Sequence, residues 1–203
     1  EAASGSWRGP ADVLGDLLSG KLRGEISMAN PVSSGTGYTV LATLVQLMGE
    51  ERALEYLKAL DANIGVYTSS GAMPGKLVGL GQVAVGILFS HDILAFKQQG
   101  YDVELVFPRE GTGYEIGGIA IVRGSRHLAD ARRFVDFMLS AEGQNLYSAM
   151  GEFRLPTNRL AAVPRGAVPL DAVEVVKYDL VWAAAHKQRL VEAWNLVAIA
   201  RGR

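Results

Sequence analysis

The chain has 203 residues, 49% of them apolar and 20% charged, which is enough to bury a sizeable core as one large domain or two small ones. Its formal net charge is −1 and its 20 basic residues are spread along the sequence, so the clustered positive surface that a nucleic-acid backbone requires is not in view. Cysteine is absent, which excludes disulfide scaffolds, thiolate zinc sites and cysteine nucleophiles while leaving either redox compartment open.

No apolar run approaches the roughly 20 residues that span a bilayer as a helix. The start, Glu1 to Gly9, lacks the basic-then-apolar pattern of a signal peptide, so a mature or trimmed piece is expected. The 24 glycines fall mostly in short clusters between apolar segments, as tight turns do. Short apolar runs alternate with longer segments of helical spacing, which predicts an α/β protein with a largely parallel sheet. Glu25 to Ala29 is the first strand candidate. Leu41, Leu44, Val45 and Met48 then repeat at helical spacing, and a second helix carries Leu54, Leu57 and Leu60, with Gly49 punctuating the pair. Val83 to Phe89 reads as a strand covered on both faces, and Val103 to Phe107 as another, ended by Pro108. Ile116 to Val122 is a further apolar strand candidate, followed by an amphipathic helix with Leu128, Ala131, Val135 and Met138. Irregular surface chain is expected between Pro156 and Pro169. A last helix then places Leu190, Val191, Trp194 and Val197 on one face, which needs a cover.

Three segments carry candidate chemistry. Asn30-Pro-Val-Ser-Ser-Gly-Thr-Gly-Tyr38 joins a strand to the first turn of a helix. The unpaired N–H groups of such a turn, with glycine for close approach and hydroxyl donors beside it, suit a phosphate or carboxylate; the alternative is that Ser33 or Ser34 simply caps the helix. A P-loop is excluded because no Gly-Lys-[Ser/Thr] follows. Ser90-His91-Asp92 follows a strand, where ligands of open α/β sheets gather. Adjacent side chains diverge and cannot form a catalytic triad among themselves, so polar recognition is the better use, against a capping Asp92 and a surface His91. Glu115, after Gly111-Thr-Gly-Tyr114, can accept from sugar hydroxyls or be a solvated acid on a hinge loop. Glu110 and Glu115 as a glycosidase pair have nothing to fix their separation. His127 and His186 stand alone, and no local spacing supports a metal site or a resident cofactor.

Four strings taken together, Ile26-Ser-Met-Ala-Asn-Pro-Val-Ser-Ser-Gly-Thr-Gly-Tyr38, Leu44-Val-Gln-Leu-Met-Gly-Glu50, Ser90-His91-Asp92 and Pro108-Arg-Glu-Gly-Thr-Gly-Tyr-Glu115, resemble the extracellular solute-binding proteins of bacterial ABC importers, in the ferric-iron-binding-like family. The likeness runs from about Trp7 to Pro164. It implies a type II periplasmic-binding fold, a periplasmic or membrane-tethered extracellular receptor rather than an enzyme, and an ABC permease as partner. Members carry a long segment before the equivalent of Trp7, so the chain is expected to be a C-terminal portion: 1–23 a crossover segment, 24–110 the second lobe, and 111–203 the hinge with the C-terminal return into the first lobe, whose N-terminal part would be absent. With a half-built cleft between lobes, weak binding and self-association are expected. Iron-binding members place adjacent tyrosines where Ser90 and His91 stand here. The subgroup with this combination of motifs resembles hexose-phosphate receptors, which implies Ser34, Gly35 and Thr36 for phosphate and His91, Asp92 and Glu115 for sugar hydroxyls. A ferric-ion receptor, or a sensor domain of the same fold, is the alternative.

Overall fold

Every residue of Ile26-Ser-Met-Ala29 is buried in the computed structural model, which describes residues 13–199. An apolar segment buried along its whole length belongs in the middle of a parallel sheet. Strand β1 (Ile26–Ala29) does lie there, with β2 (Ile64–Thr68) on one side and β3 (Val85–Ile87) on the other, all parallel. The single polar side chain of β1, Ser27, is satisfied by donating to the carbonyl of Val66 at 3.0 Å.

The helical spacing after β1 becomes α1 (Gly35–Met48) and α2 (Glu50–Leu60), separated at Gly49, whose φ of 85° is open to glycine at little cost. Tyr38, Leu41, Leu44 and Val45 of α1 are buried with Ala53, Leu57 and Leu60 of α2. Each such large side chain contributes about 1.5–3 kcal/mol by leaving water. The cover expected for the last helix is this pair: α7 (Leu180–Ile199) packs Ala183, Leu190 and Trp194 against α1 and α2, and the Trp194 ring meets Tyr67 edge-on at 5.6 Å. Arg189 grips Glu50 with its two terminal guanidinium nitrogens, at 2.5 and 2.8 Å. Helix α3 (Met73–Gly79) and helix α4 (Ser90–Gln98) complete this part of the chain.

Helix α5 (Leu128–Leu139) arises as its periodicity predicts. Helix α6 (Ala141–Ala149), which the sequence reading did not contain, is started by Ser140: its Oγ accepts from the Gly143 N–H at 3.0 Å. The chain from Pro156 to Pro169 is irregular, pinned by the buried Gln144, which donates to Thr157 Oγ1 at 3.0 Å and accepts from the Asn158 N–H at 2.9 Å.

Several expectations change. The strand expected over Val83 to Phe89 shrinks to three half-buried residues, because β3 pairs with β1 on one side alone. Val103 to Phe107 and Ile116 to Val122 form no strand; Val103 is buried and Val122 is 80% exposed. β-branched composition supplies propensity, but a strand is a pairing relation, and no ladder partner faces either segment among the described residues.

The chain divides into two compact units, one running through Glu115 and resuming at Leu170, the other Ile116–Pro169. This differs from the division expected at 110/111. The last helix joins the unit that holds the sheet, because α1 and α2 bury its apolar face. Within that unit the outgoing and returning segments touch: the Thr112 N–H donates to Glu174 O and the Val176 N–H to Thr112 O, both at 2.9 Å, forming one parallel bridge. Among the described residues no helix is long and apolar enough to cross a membrane.

Candidate functional site

At the end of β1 the Asn30 side chain accepts from the Val32 N–H at 2.8 Å, and the Asn30 carbonyl accepts from the N–H groups of Ser33 and Ser34. This tight turn delivers Ser34 in extended conformation as the N-cap of α1. Ser34 makes no side-chain capping bond, so its hydroxyl is not spent on the helix. The first N–H groups of α1 have no partner within the helix and carry the positive end of its dipole. The two glycines of this turn do different jobs. A Cβ on Gly35 would meet nothing within 4 Å, whereas one on Gly37 would stand 2.4 Å from the Ala29 carbonyl oxygen. Gly35 therefore leaves the turn open on its own side, and Gly37 lets the helix sit on its own strand. Thr36 touches the segment after β2: a Cβ on Gly71 would lie 2.1 Å from Thr36 Oγ1.

The segment after β3 enters α4 at Ser90. Phe89 is the N-cap and Asp92 lies inside the first turn, so Asp92 does not cap the helix, although its charge suits the dipole there. His91 stacks on Phe89 with ring centroids 5.5 Å apart, and its Nε2 is 3.6 Å from Asp92 Oδ1; the two side chains are 20% and 23% exposed. His91 is thus a half-buried residue rather than a free surface one. Because β1 and β3 are adjacent and parallel, Ser34 to Thr36 and His91 to Asp92 issue from the same end of the sheet.

Glu115 arrives from the far side of α1. Gly113 packs so closely on that helix that a Cβ would come 1.9 Å from Thr43 Oγ1, and two residues later Glu115 Oε2 lies 3.4 Å from Thr39 Oγ1. Thr39 also donates to the Gly35 carbonyl at 3.0 Å. A cavity of about 250 Å³ opens here, with Gly35, Tyr38, Thr39, Glu115, Tyr178 and Lys187 among its lining residues. Burial raises the Tyr178 hydroxyl to about 12; Tyr38 and Glu115 add to the rise and the hydrogen bond with Thr39 opposes it. Burial likewise raises Tyr38, against the pull of Arg189, and the Tyr38 hydroxyl donates to the Ala183 carbonyl. His91 and Asp92 do not line this cavity.

The remaining candidates are occupied elsewhere. Glu110 accepts from the Leu14 N–H at 2.9 Å, a structural bond on a different segment from the contact of Glu115. His127 is the N-cap of α5, and His186 stacks on Trp182 at 4.4 Å. Among the described residues no group of three or more histidines and carboxylates could hold a metal ion. Sequence reasoning did not single out Thr39, Tyr178 or Lys187. Thr39 follows the glycine-rich turn by a helical step, which was the one available signal.

Residues 12–181 match the family of bacterial extracellular solute-binding proteins, and the chain belongs to that family. Its fold is that of periplasmic binding proteins. It is similar to the periplasmic binding protein AfuA from Actinobacillus pleuropneumoniae, solved with exogenous fructose-6-phosphate bound: 42% identical, TM-score 0.86, covering 90% of this chain and 58% of that one. An uncharacterized protein of Haemophilus influenzae is 41% identical over 182 residues, 88% of this chain and 53% of its own length. The Fe(3+)-binding periplasmic protein of Serratia marcescens is 24% identical over 160 residues, 75% of this chain and 46% of its own. The chain spans about half the length of these curated relatives.

Proposed function

We propose that the chain is part of an extracytoplasmic solute receptor of an ABC importer, working with a membrane permease, and that its ligand is a phosphorylated sugar or a related organophosphate. Ser34, Gly35 and Thr36 would hold the phosphate, and His91, Asp92 and Glu115 the hydroxyls. The lobes of the receptor would follow the two compact units, with Ile116–Pro169 belonging to the first lobe. The observation that carries the reading is at the start of α1: the N-cap hydroxyl caps nothing, and the adjoining Gly35 faces open space. That combination is a cradle of uncharged donors at a helix N-terminus, suited to an anion. The carboxylates of Asp92 and Glu115 would repel phosphate but accept from a polyol, so the two kinds of group divide one ligand between them. The likeness to AfuA with its bound fructose-6-phosphate supports the same chemistry. Binding without turnover is the role, in keeping with the family.

The likeness to the Serratia protein favours a second reading, a ferric-ion receptor. Against it, Ser90 and His91 supply no tyrosine pair, and hard ferric ion prefers anionic oxygen ligands. Calorimetry decides between them, with fructose 6-phosphate, glucose 6-phosphate, unphosphorylated glucose, inorganic phosphate and ferric citrate titrated into this chain and into a form extended to the length of its relatives. Sugar phosphate is expected to bind, and Thr36→Ala or Asp92→Ala to weaken it about tenfold or more, as losing a hydrogen bond to a charged group does. Binding of iron and not of sugar phosphate would discard the assignment of Ser34 to Thr36.

A further inference from the structure

An exposed glutamate on a crossover segment has several rotatable bonds, so an acceptor that must meet one hydroxyl needs something to hold it. The residue in reach is Thr39, one turn into α1 and only 8% exposed. Its Oγ1 lies 3.4 Å from Glu115 Oε2 and 3.0 Å from the Gly35 carbonyl oxygen, and the buried Tyr178 lines the same cavity. A threonine hydroxyl has one proton and two lone pairs. The Thr39 proton is therefore shared between Gly35 O and Glu115 Oε2.

We propose that Thr39 is a positioning residue for Glu115: it holds Oε2 against the first turn of α1, leaving Oε1 to receive a ligand hydroxyl. The proposal rests on the reading of Glu115 as a hydroxyl acceptor. It adds a source of selectivity. Gly35 and Thr39 are on successive turns of one rigid helix, so the distance between the anion cradle and the acceptor is fixed, and ligands are sorted by the separation of phosphate from hydroxyl. Tyr178 comes from the returning segment and Glu115 from the outgoing one, and both line the cavity beside Thr39.

The test uses the full-length protein and calorimetry with fructose 6-phosphate and inorganic phosphate. Thr39→Val should weaken sugar-phosphate binding about fivefold, a modest loss suited to a long hydrogen bond. Inorganic phosphate binding should be retained and Thr39→Ser should restore the affinity. In a Glu115→Gln background Thr39→Val should cost nothing further, because its effect passes through the missing carboxylate. Equal weakening of both ligands, or additive losses in the double variant, would overturn the proposal. Should Thr39→Val not fold, Thr39→Ala against Thr39→Ser replaces it, with loss expected for alanine alone. If the unsubstituted protein binds no sugar phosphate, the broader reading falls by itself; crystal structures of the unsubstituted and Thr39→Val proteins then decide, a displaced Glu115 carboxylate supporting the positioning role and an unmoved one refuting it.

Discussion

A methyl group added at position 37 would push into the backbone of β1, 2.4 Å from the Ala29 carbonyl and 2.7 Å from the Asn30 carbonyl carbon. Backbone cannot step aside as a flexible side chain can, so Gly37→Ala should destabilise the protein by about 3 kcal/mol, at the upper end of overpacking costs. Gly35→Ala should change stability by no more than about 0.5 kcal/mol, since its Cβ enters open space. Urea unfolding of the two variants separates a glycine that serves packing from one that serves access. Sequence alone read both as part of one anion-binding turn. It was silent on which glycine does which, because that depends on how α1 returns over its own strand. Glu115 was singled out in the sequence as a candidate acceptor or a solvated acid, but its neighbours in the cavity, Thr39 and Tyr178, are separated from it by tens of residues and carry no motif.

Among the elements, those that announce themselves by period formed where expected: β1, α1, α2, α5 and α7. The misses have a common cause. β2 is interrupted by Gly65, and its burial does not alternate: Ile64 and Thr68 are buried at its ends while Gly65 and Val66 are exposed. α3 carries Gly75 and Gly79, tolerated because a Cβ at either would come within 2.8 Å of Phe96 or Tyr101. Conversely, Val103 to Phe107 and Ile116 to Val122 have strand composition without a strand to pair with. The seam between α1 and α7 makes a prediction of its own. Tyr178 and Tyr38 are raised by burial, so the folded state keeps their protons where the unfolded state has lost them. That contribution is whole below the ordinary tyrosine value of about 10 and fades as pH rises above it, for Tyr178 toward about 12. Urea midpoints measured across this range should fall with pH, and Tyr178→Phe should flatten the fall.

At the scale of the whole molecule, the apolar core is gathered in the unit that holds the sheet: the buried cluster runs from Leu17 to Ile64 and from Tyr178 to Trp194, with nothing from Ile116–Pro169. Helix α5 buries no residue fully, and Phe134 and Met150 are 58% and 79% exposed. The parallel bridge between Thr112 and Val175 gives this asymmetry a genetic meaning. The intervening stretch leaves and rejoins the chain at neighbouring points, so it has the character of a cassette spliced into a host that supplies its own core. Closing a shorter loop between the same points costs less entropy, not more. Replacing Ile116–Pro169 by a Gly/Ser linker of about ten residues, long enough to turn back to Leu170, should therefore leave a cooperatively unfolding host with dispersed amide resonances. A collapsed spectrum would show that the cassette helps to build its host. If the host stands alone, it carries every proposed site residue from Ser34 to Glu115, and these can be exchanged between relatives as a unit, separable by recombination from whatever the cassette contributes.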